Sequence, residues 1–539
     1  MLPLLLSLST VLGLGCFSET NDDQHLAWLF SGVTADAPVT AVPLYFHGLG
    51  HGLSWLYTGW PFVPWLGLLL ASLLALATVL AFAVVDRVLR PHLRPLALAL
   101  ALTFFFLLAW LEHWLWFSHL RVSLLLAGTA LLFAAQRPGR KGVLLVSMAL
   151  LLLAWAIRPL AAVLALLATA PAAVLLAGSW RRAWPMLLAA LATVGTASLL
   201  LSLTQTPETA RFRAIDSSLA AVLDYDLRQP QPRTAADSLG VAAVQLWMLG
   251  DSSLVSEAFA RRAYILDVPH YLQQVLPAKL SGRLAQLGRD YFAVLLLLGG
   301  LAWWPARRGS RGRIILLQLG LSGLLLGLAA LLKLPPRLAL PLLDFWLLTN
   351  LAAAVAGTEL VAAGFAQPRR RLLAIVGLGL LCALYGAKTW HRHQVLGQER
   401  SRHEQALQEV ARRSRGQVRV AAGADDLLKS LSPFQTYTLG TGPVLWLSGW
   451  PSHDPAQARL YRQLSGHADQ ASCLRELAAR PAGQVAWLLT APTAGWLQQR
   501  LSRLNTPNTA GMEAASSWLR TVQPLQADST LQLYNIDPQ

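Results

Sequence analysis

Apolar residues in this chain come in blocks of about 17 to 24, and at 1.5 Å per helical residue such blocks are long enough to cross a hydrocarbon core of roughly 30 Å. Lipid offers no water to pair with an open amide, so a spanning segment must close its own hydrogen bonds as an α-helix. The charge content agrees: 13% of the 539 residues are charged, against roughly 25% in an ordinary soluble domain. Spans are expected near 2–17, 63–85, 96–117, 120–135, 142–157, 160–178, 185–204, 291–305, 314–333, 338–356 and 371–388. The expected fold class is an all-α polytopic membrane protein of about eleven transmembrane helices.

The formal charge is +16, which raises the question of nucleic acid, and the position of the basic residues answers it. Arg87, Arg90 and Arg94, then Arg137, Arg140 and Lys141, then Arg181 and Arg182, then Arg307, Arg308, Arg311 and Arg313, then Arg369, Arg370 and Arg371 fall in every second loop. That is the positive-inside pattern of a membrane protein, so no nucleic-acid partner is expected. It places the N-terminus inside and the C-terminus outside. The three cysteines, Cys16, Cys382 and Cys473, lack metal or redox spacing. Leu12–Cys16 has neither a basic n-region before it nor a leucine at the lipoprotein offset, so the first span reads as uncleaved.

Two outer loops are long, 18–61 and 205–290, and the second reads as several amphipathic helices. After Lys388 the composition becomes that of a soluble segment. Helix-like stretches at 401–414, 454–479 and 493–504 alternate with short apolar runs at 418–422, 444–448, 485–489 and 531–536. Strand alternating with helix predicts a small α/β extracytoplasmic domain over 389–539, after a transmembrane domain over 1–388.

Candidate chemistry concentrates where the first span leaves the membrane. Glu19, Asn21, Asp22 and Asp23 follow it directly, and paired carboxylates at an interface suit a general base or a divalent cation, Mg or Mn, held by Asp22 and Asp23. His47 and His51 share a face if 44–57 is helical, but two imidazoles make an incomplete zinc set. The aromatic residues around them fit an interfacial helix in contact with membrane lipids. Arg158, Lys333 and Arg337 stand in outer turns where the charge rule disfavours cations, which suits them to the phosphate of an anionic lipid. Glu112, His113 and His119 near the end of the third span, and Asp344 inside the tenth, are further candidates, because ionisable groups within spans face a cavity or a partner.

With an acidic motif in the first outer loop, amphipathic helices later in that loop, many spans and an outer C-terminal domain, the chain resembles the C-type (GT-C) membrane glycosyltransferases that use polyprenyl-phosphate-linked sugars. The residues that carry the resemblance are Asn21-Asp22-Asp23, Arg158-Pro159 and the stretch Arg337–Pro341. It implies a transferase that moves a sugar from a polyprenyl-phosphate donor to an envelope glycan, lipid or protein acceptor. Asp22 or Asp23 would deprotonate the acceptor hydroxyl; Arg158 and Arg337 would hold the lipid phosphate. A transporter or flippase, or a polymerase or ligase, for lipid-linked saccharides is the alternative. The resemblance leaves sugar and acceptor open.

Overall fold

A computed structural model of the chain describes every residue except 307–310, 357–367, 482, 506–518, 525–530 and 537–539. The expected basic residues Arg307 and Arg308 lie outside the described residues. The chain divides into two compact units: one holds Met1–Glu19, Leu68–Thr204 and Leu272–Gly397, the other Thr20–Gly67, Gln205–Tyr271 and Gln398–Gln539. Both expected outer loops therefore group, for most of their length, with the C-terminal segment, and the change of unit comes at Gly397 rather than at 388.

The first unit is helical and multi-pass. Among the described residues seven helices are long and apolar enough to cross a membrane: Trp65–Leu89, Pro95–Leu115, Pro159–Ala177, Trp180–Thr204, Ile314–Leu331, Pro336–Val355 and Leu372–Arg413. Val268–Asp290 and Phe292–Ala302, bent by 90°, make up to an eighth, and three shorter apolar helices cover Leu2–Leu14, His119–Ala135 and Lys141–Ile157. All of them overlap positions where spans are expected. The last differs most: Pro368–Arg413 is one helix of 46 residues that runs well past the change of composition at Lys388. Within the unit, His119–Ala135 packs on Pro159–Ala177 and on Pro336–Ala356. Gly128 makes the second contact close, since a Cβ there would lie 2.1 Å from the Phe345 ring.

Two features of this unit position polar groups. The first helix stops at Gly15, whose φ of 77° is costly for residues with a Cβ. The chain then pairs as a two-residue parallel ladder, Phe17 with Trp116 and Ser18 with Phe117, and the Glu19 amide donates to the Phe117 carbonyl at 2.8 Å. The exits of two helices are thereby tied together. In Pro95–Leu115 a π-helical turn covers Phe106–Trp110, directly before Glu112 and His113; such turns shift side-chain register and recur at functional sites.

The second unit is built on a five-stranded mixed sheet. Its strands are β1 (Val418–Ala422), β2 (Val444–Trp446), β3 (Val485–Thr490), β4 (Leu519–Pro524) and β5 (Leu531–Ile536). The order is β2-β1-β3-β5-β4, with β2, β1 and β3 parallel and β5 antiparallel to both its neighbours. Both faces are covered, as a parallel core requires. On one face Trp28 and Leu407 join Ala421, Trp446 and Leu488. On the other, Leu219, Leu239, Phe259, Leu460, Leu474 and Leu497 join Val420, Leu445 and Trp487. The helix expected at 454–479 is two, Pro455–Ser465 and Gln470–Ala478, with Gly466 between them at φ 79°.

Candidate functional site

Nearly all polar side chains that a membrane-spanning unit buries must find partners, because each unsatisfied group costs several kcal/mol in an apolar surround. Here they find one another. Arg121, in the first turn of His119–Ala135 and fully buried, donates to Glu19 Oε2 at 2.7 Å. Its other terminal nitrogen lies 3.1 Å from His113 Nδ1. A guanidinium only donates, so Nδ1 must be the acceptor and His113 carries its proton on Nε2. That N–H then donates to Asp344 Oδ2 at 2.6 Å. The chain Glu19–Arg121–His113–Asp344 thus has a fixed direction of donation and a fixed histidine tautomer. Among the described residues, Arg121 Nε, Asp344 Oδ1 and the Tyr291 hydroxyl are buried with no hydrogen-bond partner.

The neighbouring residue Glu112 faces a different set. Its Oε1 accepts from the Tyr385 hydroxyl at 2.7 Å and from Lys388 Nζ at 2.5 Å, and its Oε2 accepts from Arg392 at 2.8 Å. Arg392 also lies 3.6 Å from Asp290 Oδ1, and Lys388 donates to the Asp290 carbonyl. Tyr385, Lys388 and Arg392 stand three and four residues apart on the long helix Pro368–Arg413, so one face presents all three. Glu112 is 1% exposed whereas Lys388 and Arg392 keep 19% and 16%; the cations, not the acid, are what a ligand can reach. Aromatic faces cover both cationic groups, the Lys388 ammonium lying over the Tyr385 ring and the Arg392 guanidinium over the Trp116 ring.

The acidic motif itself belongs, apart from Glu19, to the second unit. Asp22 and Asp23 open the helix Asp22–Ser31, where the positive end of the helix dipole favours carboxylates. Asp22 is half-buried and its Oδ1 accepts from Trp450 Nε1 at 3.0 Å; Asp23 is buried. Asn21 occupies the N-cap position, yet its side chain makes no cap. It donates to Asp425 Oδ1 at 3.1 Å instead. The same oxygen takes His25 Nε2 at 3.0 Å and Trp446 Nε1 at 3.2 Å, while Oδ2 accepts from the Ser448 hydroxyl at 2.5 Å. Burial alone would raise the Asp425 carboxyl, but these donors outweigh it and hold the group below the ordinary carboxylate range.

The two histidines of the first outer loop do not share a helix face. The helix starts at Leu49, so only the exposed His51 lies on it, and His47 sits in the preceding turn between Phe46 at φ 53° and Gly48 at φ 78°. No group of three or more His, Cys, Asp or Glu side chains able to hold a metal occurs among the described residues, so Asp22 and Asp23 are joined by no third ligand there. Arg158 occupies the N-cap position of Pro159–Ala177 without a side-chain capping bond, Arg337 lies in the first turn of Pro336–Ala356, and these two helices pack together. Lys333 is half-buried in the turn before Pro336. Of the thirteen candidate site residues expected from sequence, Glu19, Glu112, His113, His119, Arg158, Lys333, Arg337 and Asp344 fall in the membrane unit; Asn21, Asp22, Asp23, His47 and His51 fall in the other.

Sequence reasoning passed over Arg121, Tyr385, Lys388, Arg392, His25 and Asp425. For Tyr385, Lys388 and Arg392 the helical spacing was a readable signal. Comparison with protein-family models, with curated proteins and with solved structures gives no match to this chain, which leaves function to be read from its own residues.

Proposed function

We propose that the chain is a glycosyltransferase that moves a sugar from a polyprenyl-phosphate donor to an envelope glycan, lipid or protein acceptor. The reaction is placed on the outer face of a bacterial cytoplasmic membrane. The reading takes the bent pair and the three shorter apolar helices as crossings beside the seven long ones, and takes the basic loops as cytoplasmic, which would leave the N-terminus inside and the C-terminal segment outside. The observation that carries the reading is the buried ionic network of the membrane unit, where two reachable cations, Lys388 and Arg392, are held ready by one inaccessible acid, Glu112. A membrane-spanning unit keeps such charges for function, since burying them costs more than apolar packing would.

The chemistry asked of it is simple to balance. A carboxylate takes the proton of the acceptor hydroxyl, the acceptor oxygen bonds to the anomeric carbon, and the bond from that carbon to the phosphate oxygen breaks with its electron pair leaving on phosphate. Lys388 and Arg392 neutralise that departing charge, the role the resemblance suggests for Arg158 and Arg337, and Lys333 in its outer turn is a further candidate for the phosphate. By the resemblance Asp22 or Asp23 would be the base and the other acid would orient the acceptor or bind a metal; Glu19 is the carboxylate that the membrane unit offers. If a divalent cation takes part, Asp22 and Asp23 are the residues proposed to hold it.

The test is mass spectrometry of lipid-linked and surface glycans in a deletion strain. The strain carries wild type, Glu112→Gln, Lys388→Met with Arg392→Met, or Asp22→Asn with Asp23→Asn, at equal abundance. Loss of one surface sugar that only wild type restores, with the lipid-linked donor accumulating, supports the transferase. An unchanged glycan profile in every strain sinks it. A second reading, a transporter or flippase for lipid-linked saccharides, is favoured by Asp344, which is buried within a span and bonded to His113. It predicts donor trapped on the cytoplasmic leaflet instead.

A further inference from the structure

In open α/β sheets, ligands settle beyond the carboxyl ends of the parallel strands, where the strand order reverses. Here the reversal lies at β1, with β2 on one side and β3 on the other. Asp425 stands just past the carboxyl end of β1 and Ser448 just past that of β2. The partners gathered at that edge are the chain's own: Asn21 and His25 from the helix Asp22–Ser31 and its cap, with Trp28 of the same helix sealing the adjacent face and donating to the Tyr437 carbonyl at 2.6 Å. Gly449 lets the loop after β2 turn past the carboxylate, since its φ is 74°, a backbone conformation that residues with a Cβ rarely adopt.

We infer that Asp425 is the positioning residue of the acidic motif, fixing Asn21-Asp22-Asp23 through Asn21 and His25 at the edge where an α/β sheet ordinarily receives a ligand. Two observations argue for positioning over plain packing. Asn21 gives up the cap its place in the helix would normally make in order to reach Asp425. Trp450, which follows the same β2 loop, bonds Asp22 itself, so the sheet edge grips the motif on both sides of its first acid. The C-terminal segment then acts as the holder of the first outer loop. The inference rests on the transferase reading only in giving the motif a reaction to serve.

Hydrogen exchange by mass spectrometry on the full chain in lipid nanodiscs tests the positioning without activity, and the glycan assay tests its consequence. Asp425→Asn keeps the side chain's shape, and Asn21→Ala, a milder change, guards against a variant that does not fold. Both are expected to speed exchange across 20–31 by about tenfold or more while β1 and β3 stay protected. Transfer by Asp425→Asn should fall as far as in Asp22→Asn, with the double variant no worse than either. Unchanged protection at 20–31, equal loosening of β1 and β3, or full transfer by Asp425→Asn when Asp22→Asn has none would overturn it. If exchange responds as expected but Asp22→Asn with Asp23→Asn transfers normally, the latch stands and the assignment of those acids as bases falls.

Discussion

Glu112 in the membrane unit and Asp425 in the sheet unit are both carboxylates ringed by donors, three in one case and four in the other. Their donors differ in kind. Glu112 is met by two full cations and a phenol, Asp425 by an amide, an imidazole, an indole and a hydroxyl. Apolar helices supply few backbone or side-chain dipoles, so a charge placed among them needs a counter-charge. The end of a parallel sheet offers loops rich in small polar groups, and several dipoles together can hold one carboxylate. The first arrangement breaks when one ion is lost. The second degrades donor by donor.

The largest effect expected from that difference is at Arg121. Arg121→Met leaves Glu19 buried without its counter-ion and should cost about 3–5 kcal/mol in thermal or denaturant unfolding of the full chain. Adding Glu19→Gln should recover much of the loss, as replacing both members of a buried pair is far cheaper than removing one. No recovery would mean that Arg121 serves His113 more than Glu19.

A second effect is pH-dependent and belongs to the sheet unit. His453 stacks on Phe212 at 4.3 Å with 9° between the rings, and burial lowers its pKa to about 4 from 6.5. Burial, opposed by the Ala456 amide and Arg459, raises Asp454 to about 6 from 3.8. The neutral histidine contributes stability that is complete above pH 6.5 and is lost as pH falls toward 4. The neutral acid contributes stability that is complete below 3.8 and is lost as pH rises through 6. The two slopes oppose each other, so wild type should be nearly flat between about pH 4 and 6. His453→Phe keeps the stack and removes one slope, so its stability should fall by on the order of 2 kcal/mol across that interval, read as melting temperature against pH. A variant as flat as wild type would remove His453 from the account.

The smallest effect tests the donor-by-donor claim. Ser448→Ala takes one of four donors from Asp425 and should cost about 1 kcal/mol in the same unfolding assay, with the sheet intact. A loss as large as that of Arg121→Met would erase the contrast between the units.

The helical part of this fold was legible because a span announces itself by length and apolarity alone. The end of the last helix was not: the fall in hydropathy after Lys388 marks a change of surroundings, and no proline or capping signal stops the helix before Arg413. Strand β4 escaped notice since Leu519-Arg-Thr-Val-Gln-Pro is polar and ends in proline, as an edge strand can. Glu112, His113 and Asp344 stood out as charges within spans. Their cations did not, because Arg121 reads as a flanking residue and Lys388 and Arg392 read as the start of a soluble segment. Nothing in the spacing of Asn21 and His25 points to an acid 404 and 400 residues away.

That separation also has a meaning in time. Ribosomes add roughly 5–20 residues per second, so Asn21 and His25 wait on the order of 20–80 seconds for the strand and loop that carry their partner. Throughout that interval Trp28, which ends up 1% exposed, has no sheet to cover it. Newly made copies must carry an adhesive N-terminal segment while every apolar helix is being inserted.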